Sequence, residues 1–299
     1  MKKISILLAI LVMFVPGCSF FRSNFTFDKN SPTCPPGLCS SGLGHVIYGE
    51  DNRLDMYKVK NVGVRENALA VGSLWYDNQI RRNGDIYELL VSGYGSTYGL
   101  APREPFRDQV IGPHCTVFLV APDIVVTAGH CLNSNDFLEK YVIFGFRMID
   151  QKNCTTIVNR KNVYKVKKII AHQLRNDGMD YAIIKLDRKV EHIIPLRVSG
   201  KEVKKGDWLY VLGHPCGLPL KYAPCARVMS TSNEIYFNAS LDTYGGNSGS
   251  PVFNDSGDVV GILVRGETDF IETPAGKVSR TGVFGESCTK SVNWKKYIK

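Results

Sequence analysis

The chain has 299 residues, of which 44% are hydrophobic and 22% charged, with nine cysteines and a formal net charge of +9. That is enough to bury a sizeable core in one large domain or two small ones. No fixed-period repeat or long low-complexity tract is visible, which excludes solenoids and propellers.

The predicted elements begin with a targeting segment. Lys2 and Lys3 give a positive end, and ISILLAILVMFV (residues 4–15) is an apolar core too short to span a bilayer, so residues 1–17 read as a signal peptide. Val15-Pro16-Gly17-Cys18 resembles a bacterial lipobox, in which Cys18 is lipidated and becomes the first mature residue; ordinary secretion is the competing reading. Either way the protein is expected to be exported, to the bacterial cell envelope as a lipoprotein or to the medium. Residues 18–45 are polar and rich in Pro, Gly and Ser, a tether rather than a core segment. With Cys18 set aside, the remaining cysteines are even in number (Cys34, Cys39, Cys115, Cys131, Cys154, Cys216, Cys225 and Cys288), as disulfides after export require.

From Val46 onward short apolar runs alternate with turn residues. The clearest are TVFLVA (116–121), DIVVTAG (123–129), KYVIFGF (140–146), VYKVKKIIAH (163–172), YAIIKL (181–186), DWLYVLGH (207–214), EIYFNA (234–239), SPVF (250–253) and VVGILV (259–264). Val, Ile, Tyr and Phe dominate these runs, and Gly, Pro, Asn and Asp separate them, which predicts an all-β fold, a sandwich or barrels. The span is long for one small barrel, so two side by side are expected, and SVNWKKYIK at the end predicts a short terminal helix. The lysines of VYKVKKII interleave with Val and Ile, as on a solvated strand face. No nucleic-acid recognition motif accompanies the basic charge, so nucleic acid is not an expected partner.

Three loops carry residues suited to acyl transfer, which needs a hydroxyl nucleophile, an imidazole base, a carboxylate that holds the imidazole, and N–H donors for the oxyanion. His130, in IVVTAGHC, follows an apolar strand, and Cys131 beside it lies sixteen residues from Cys115 across a hairpin-like stretch. Asp180, in GMDYAIIKL, precedes a wholly apolar strand. Ser248, in LDTYGGNSGSPVFN, follows glycines able to adopt conformations that let the N–H groups of Gly246 and Ser248 point at one spot.

TAGHC, DYAIIKL and GGNSGSPVFN, in that order, resemble the trypsin/chymotrypsin-type serine peptidases, and especially the bacterial branch that includes the glutamyl endopeptidases. The resemblance covers roughly residues 46–299. It implies two six-stranded antiparallel β-barrels with the active site between them, an N-terminal half (46–195) bearing His130 and Asp180, and a C-terminal half (196–299) bearing Ser248. It implies His130 as general base, Asp180 as its orienting acid, Ser248 as nucleophile, Gly246 and Ser248 as the oxyanion hole, and a Cys115–Cys131 disulfide. It further implies action on proteins or peptides without cofactor or metal; a monomer is expected, with membrane contact only through a lipid on Cys18, as the lipobox-like stretch suggests. VIYGEDNR, from Val46, resembles the mature start of some members, so cleavage after His45 is a further expectation.

Departures from the pattern bear on activation and specificity. Asn247 stands where animal digestive members carry an Asp that pairs with a newly freed amino terminus. Leu263 replaces a His with which glutamyl endopeptidases bind the substrate carboxylate, although Thr243, another position they use, is retained. Asp242, six residues before Ser248, falls where trypsin-like enzymes carry the carboxylate on the floor of the specificity pocket, and Gly266 matches a pocket-wall glycine. Cleavage after Arg or Lys is therefore expected ahead of cleavage after Glu. Val264 replaces a Ser that supports the catalytic Asp, and Arg265 and Glu267 stand where flanking substrate residues would pass. Two rivals remain: a non-catalytic binding lipoprotein on the same fold, and a metal site from His130/Cys131 and His214/Cys216. Against the second, GHPCGLP reads better as a turn in which Cys216 pairs locally with Cys225.

Overall fold

The computed structural model describes residues 51–132, 137–280 and 285–298. The expected signal peptide, lipid-bearing Cys18, tether and mature start at Val46, with Cys34 and Cys39, lie outside the described residues. The architecture is mostly β, two closed antiparallel barrels of six strands each, as the sequence predicts.

The first barrel is built from β1 (Val71–Tyr76), β2 (Cys115–Ala121), β3 (Ile124–Thr127), β4 (Lys140–Phe144), β5 (Val163–Leu174) and β6 (Asp180–Leu186), in the closed order β5-β6-β3-β2-β1-β4. The second uses β7 (Trp208–Gly213), β8 (Lys221–Ser230), β9 (Tyr236–Ala239), β10 (Pro251–Asn254), β11 (Val259–Arg265) and β12 (Glu286–Lys290). They pair in the order β8-β7-β10-β11-β12-β9, and pairing of β9 with β8 closes the ring.

Strand patterns explain how the barrels meet. Cys115–Val120 are all buried, because one face of β2 fills its own barrel and the other faces the second half. By contrast the Lys side of β5 alternates with buried Val163, Tyr164 and Val166, the solvated face expected from VYKVKKII. Val117, Phe118, Leu119, Val126 and Ile183 share one continuous cluster with Tyr210, Leu212, Phe253 and Ile262 of the second half. Each such side chain, fully removed from water, contributes about 1.5–3 kcal/mol, so the junction between halves is held as a core.

The C-terminal helix consists of two successive 3₁₀ turns, Ser291–Asn293 and Lys295–Tyr297. Between them Trp294 is fully buried, its ring 5.9 Å from that of Phe118, so the end of the chain packs back onto the first barrel. The start of the described chain makes the reciprocal crossing. Leu54–Asp55 pairs with the edge of β8, and the Asp55 carboxylate forms a buried ion pair with Lys221, whose ammonium also donates to Gln109 Oε1 at 2.7 Å.

Elements outside the barrels were not expected. A helix, Val62–Leu69, is capped by Asn61, whose side chain accepts the Val64 amide at 3.0 Å. A small sheet joins Ile80–Asn83, Ile86–Leu89 and Ile157–Asn159, and a hairpin of Phe270–Thr273 and Gly276–Ser279 stands beside the functional cleft. Among the described residues no helix is long and apolar enough to cross a membrane.

Candidate active site

The loop that carries Ser248 runs between β9 and β10 and is fixed by close approach to the first barrel. Gly246 and Gly249 both have φ of +87°, a region that L side chains resist. A Cβ at Gly249 would stand 2.1 Å from the Thr116 carbonyl oxygen, and one at Gly246 would stand 2.7 Å from that of His214. Thr116, fully buried on β2, stitches the loop in place. Its amide donates to the Ser248 carbonyl at 2.9 Å, and its hydroxyl donates to the Gly246 carbonyl at 3.1 Å. The same hydroxyl accepts the His214 amide at 3.0 Å. The Gly246 and Ser248 amides donate to no group among the described residues. Asn247 turns inward: it is buried, and its side-chain oxygen accepts the Ser250 hydroxyl at 3.4 Å. An amide there is satisfied without an ion pair, so this part of the loop is organised without the Asp of the animal enzymes.

His130 lies in the 3₁₀ turn Gly129–Leu132 that follows β3. Asp180, at the start of β6, is 2% exposed; its Oδ1 accepts the His130 amide at 3.2 Å and its Oδ2 bonds His130 Nδ1 at 2.8 Å. A ring that donates from Nδ1 to a carboxylate keeps Nε2 as an acceptor. With Val264 in the place of a supporting Ser, the second bond to this carboxylate comes from the His130 backbone itself. The Asp180 carbonyl accepts the Thr289 hydroxyl of β12 at 3.0 Å, which ties the acid to the second barrel. Cys131 is disulfide-bonded to Cys115 with a Cα separation of 6.2 Å, and a loop of this length closed in the unfolded chain is worth about 3 kcal/mol. Cys115, His130 and Cys131 bring three donor atoms together, but both sulfurs are committed to the disulfide and offer no thiolate to a metal.

His130, Gly246 and Ser248 line one cleft of about 490 Å³, with Tyr76, His114 and Lys140 on the same wall. The Tyr76 and His114 rings stack at 4.0 Å, and the Lys140 ammonium lies 4.1 Å from the Tyr76 ring centre. Ser248 also borders a second, smaller cavity of about 160 Å³, walled by Thr243, Leu263, Gly266, Asp269 and Glu286.

Of the pocket residues expected from sequence, Thr243, Leu263 and Gly266 line this cavity and Asp242 does not. Asp242 is buried, with its Oδ2 3.5 Å from the Asn52 amide. The acids lining the cavity are Glu286, Asp269 and Glu267, of which Glu286 and Asp269 are the ones shifted by burial. Glu286 is 2% exposed, and its Oε2 occupies the space beside Gly266, 2.1 Å from where a Cβ would stand. Burial pushes this carboxyl up to about 8, against hydrogen bonding from Thr243 and with added repulsion from Asp269 and Glu267. Burial likewise raises Asp269 to about 6, although the Gly245 amide donates to it at 2.8 Å and Arg53 opposes the shift. Arg53 stacks on Tyr244 from behind the wall at 4.2 Å and is paired with Asp51 by two bonds of 2.8 Å.

The matching family is described as the trypsin-like peptidase domain, over residues 115–262. The chain carries a trypsin-like peptidase domain. A 128-residue stretch is 26% identical to a probable periplasmic DegP-like serine endoprotease of Rhizobium meliloti (strain 1021), spanning 41% of this chain and 25% of that protein. Another, of 177 residues, is 28% identical to trypsin theta of Drosophila melanogaster, spanning 57% of this chain and 64% of that one. The chain thus spans a quarter of the first relative and just under two thirds of the second. A solved Glu endopeptidase shares the fold with a TM-score of 0.52 at 15% identity, over 84% of this chain and 97% of that one.

The trypsin-like domain corrects one pairing. Cys216 keeps a free thiol, and Cys225 is disulfide-bonded elsewhere, so the GHPC turn holds no local Cys216–Cys225 bridge. Cys216 sits in the Pro215–Gly217 turn with its sulfur turned toward Tyr94 and Tyr98, whereas Cys225 lies within β8. His214 of the same turn is buried, and its Nδ1 bonds the Leu218 carbonyl oxygen at 2.9 Å; burial lowers its pKa to about 4. Thr116, Asp269 and Glu286 were not singled out from sequence. No local pattern in the sequence around these three residues marks them.

Proposed function

We propose that the protein is an exported serine endopeptidase that hydrolyses peptide bonds through an acyl-enzyme on Ser248. The observation that carries this reading is the cleft shared by Ser248 and His130, with His130 Nδ1 bonded at 2.8 Å to a buried Asp180. In this mechanism His130 Nε2 takes the Ser248 hydroxyl proton as the oxygen attacks the substrate carbonyl. Asp180 stabilises the imidazolium, and the Gly246 and Ser248 amides receive the oxyanion. His130 then protonates the leaving amine, and water repeats the sequence to release the acid.

The halves 46–195 and 196–299 divide the work: the first holds the base and its acid, the second the nucleophile and the specificity pocket. We assign the preference to Arg or Lys before the scissile bond, because Glu286 and Asp269 line that pocket and disfavour an anionic Glu side chain. Residues 1–17 direct export, with Cys18 as the lipid carrier when the protein is retained at the envelope. Peptides differing only in Arg, Lys, Glu or Phe before the scissile bond test the reading. Turnover of Arg and Lys peptides, lost in Ser248→Ala, supports it. Turnover that persists in Ser248→Ala refutes it.

A further inference from the structure

We propose that Glu286, backed by Asp269, is the group that binds a cationic substrate side chain in place of Asp242. The proposal rests on the peptidase reading for its substrate, but its ligand chemistry can be tested without catalysis.

The geometry begins at Gly266. With no Cβ there, the Glu286 carboxyl moves into the wall, where a side chain at 266 would exclude it. Its Oε1 is buried and makes no hydrogen bond among the described residues. A buried polar atom without a partner is costly, and a guanidinium or ammonium entering the cavity beside Ser248 supplies the missing donor together with a compensating charge. Asp242 cannot do this from its place outside the cavity wall, with its Oδ2 turned to the Asn52 amide.

The groups around Glu286 are mostly acidic or neutral. Asp269 and Glu267 come from the segment after β11, Tyr244 from the nucleophile loop, and Cys288 from the same strand as Glu286. Arg265 lines the cavity too, but its guanidinium donates to the Gly178 carbonyl at 2.9 Å. Arg53 is engaged with Asp51 behind Tyr244. The cation to neutralise this carboxyl is therefore left to the substrate. Below its pKa Glu286 is protonated, and binding a cation then releases that proton to solvent: the neutral acid and the bound cation become an ion pair plus one free proton. Each pH step downward then costs the cationic substrate about tenfold relative to an uncharged one, down to about pH 6, where Asp269 is itself about half protonated.

Two measurements on the full chain test this. The first is kcat/KM for peptides with Arg or Met before the scissile bond, from pH 5.5 to 9; their ratio cancels every titration common to both. The expected ratio rises about tenfold per pH step between 6 and 8 and levels near 8, becomes flat in Glu286→Gln at a value at least about 30-fold below the wild-type plateau above pH 8, and keeps its pH dependence in Asp242→Asn. The second is calorimetry of benzamidine binding to Ser248→Ala protein at pH 7 in buffers of different ionisation enthalpy. About one proton is expected to be released in Ser248→Ala, and no binding in the double variant with Glu286→Gln. A flat ratio, or loss of Arg preference in Asp242→Asn with retention in Glu286→Gln, overturns the proposal. Benzamidine binding that survives Glu286→Gln overturns it equally. Turnover of neither peptide, with Glu286-dependent benzamidine binding intact, leaves cation recognition standing and refutes the peptidase reading instead.

Discussion

Thr116→Val removes a hydroxyl and leaves a side chain of nearly the same shape. Thr116 is fully buried, and its hydroxyl serves two backbone groups at once, the Gly246 carbonyl at 3.1 Å and the His214 amide at 3.0 Å. The variant strands both. An unsatisfied buried backbone group costs about 1–3 kcal/mol, and Gly246 is only half-buried, so water relieves part of its loss. The expected destabilisation is therefore about 2–4 kcal/mol. Thr116→Ser keeps the hydroxyl and loses one methyl, for about 1 kcal/mol. Urea unfolding followed by tryptophan fluorescence separates the two, since Trp75 and Trp294 are buried. Because the stranded carbonyl belongs to the loop bearing the Gly246 and Ser248 amides, kcat should fall in Thr116→Val and recover in Thr116→Ser. Equal stabilities of the two variants, within about 0.5 kcal/mol, would refute the view that this hydroxyl joins the barrels at the nucleophile loop.

Two other perturbations have definite expected results. Asp180→Asn leaves the loop geometry in place but reverses the donor at Nδ1, so kcat should drop about 10⁴-fold with folding retained, as measured by peptide hydrolysis and circular dichroism. His214 has a folded pKa near 4 against an ordinary 6.5, so the folded protein binds fewer protons at this site between those values. Its contribution is complete above pH 6.5 and falls by up to about 3 kcal/mol as the pH drops toward 4. Urea midpoints should decline over that window in the wild type and decline less in His214→Gln; parallel slopes would count against the assignment.

The barrels were legible because their strands are short runs of Val, Ile, Phe and Tyr bounded by Gly, Asp and Pro, and TVFLVA and YAIIKL became β2 and β6 almost residue for residue. The loops around His130, Asp180 and Ser248 were legible for a different reason. Glycines at 246 and 249 meet backbone so closely that few other residues could stand there, and that restriction shows in the sequence. The acidic wall of the pocket was not legible. Glu286 reaches Ser248 only through the pairing of β12 with β9 and β11, where Glu286 lies opposite Ala239, and nothing local to GESCTK announces a neighbour so distant in the chain. Asp242 falls outside the cavity lining because spacing from Ser248 fixes a position along the loop and not the direction of a side chain. The helix Val62–Leu69 and the strand IRRN lack strong periodicity or apolar content, since each packs only a few side chains onto a finished barrel.

The most direct test of the account is covalent labelling of the intact protein by a fluorophosphonate, located by peptide mass spectrometry. An activated serine beside an imidazole and two undonated amides should take up one phosphonyl group on Ser248, at a rate that collapses in His130→Ala. Labelling that spares Ser248 in the folded protein, or proceeds unchanged without His130, would contradict the central claim.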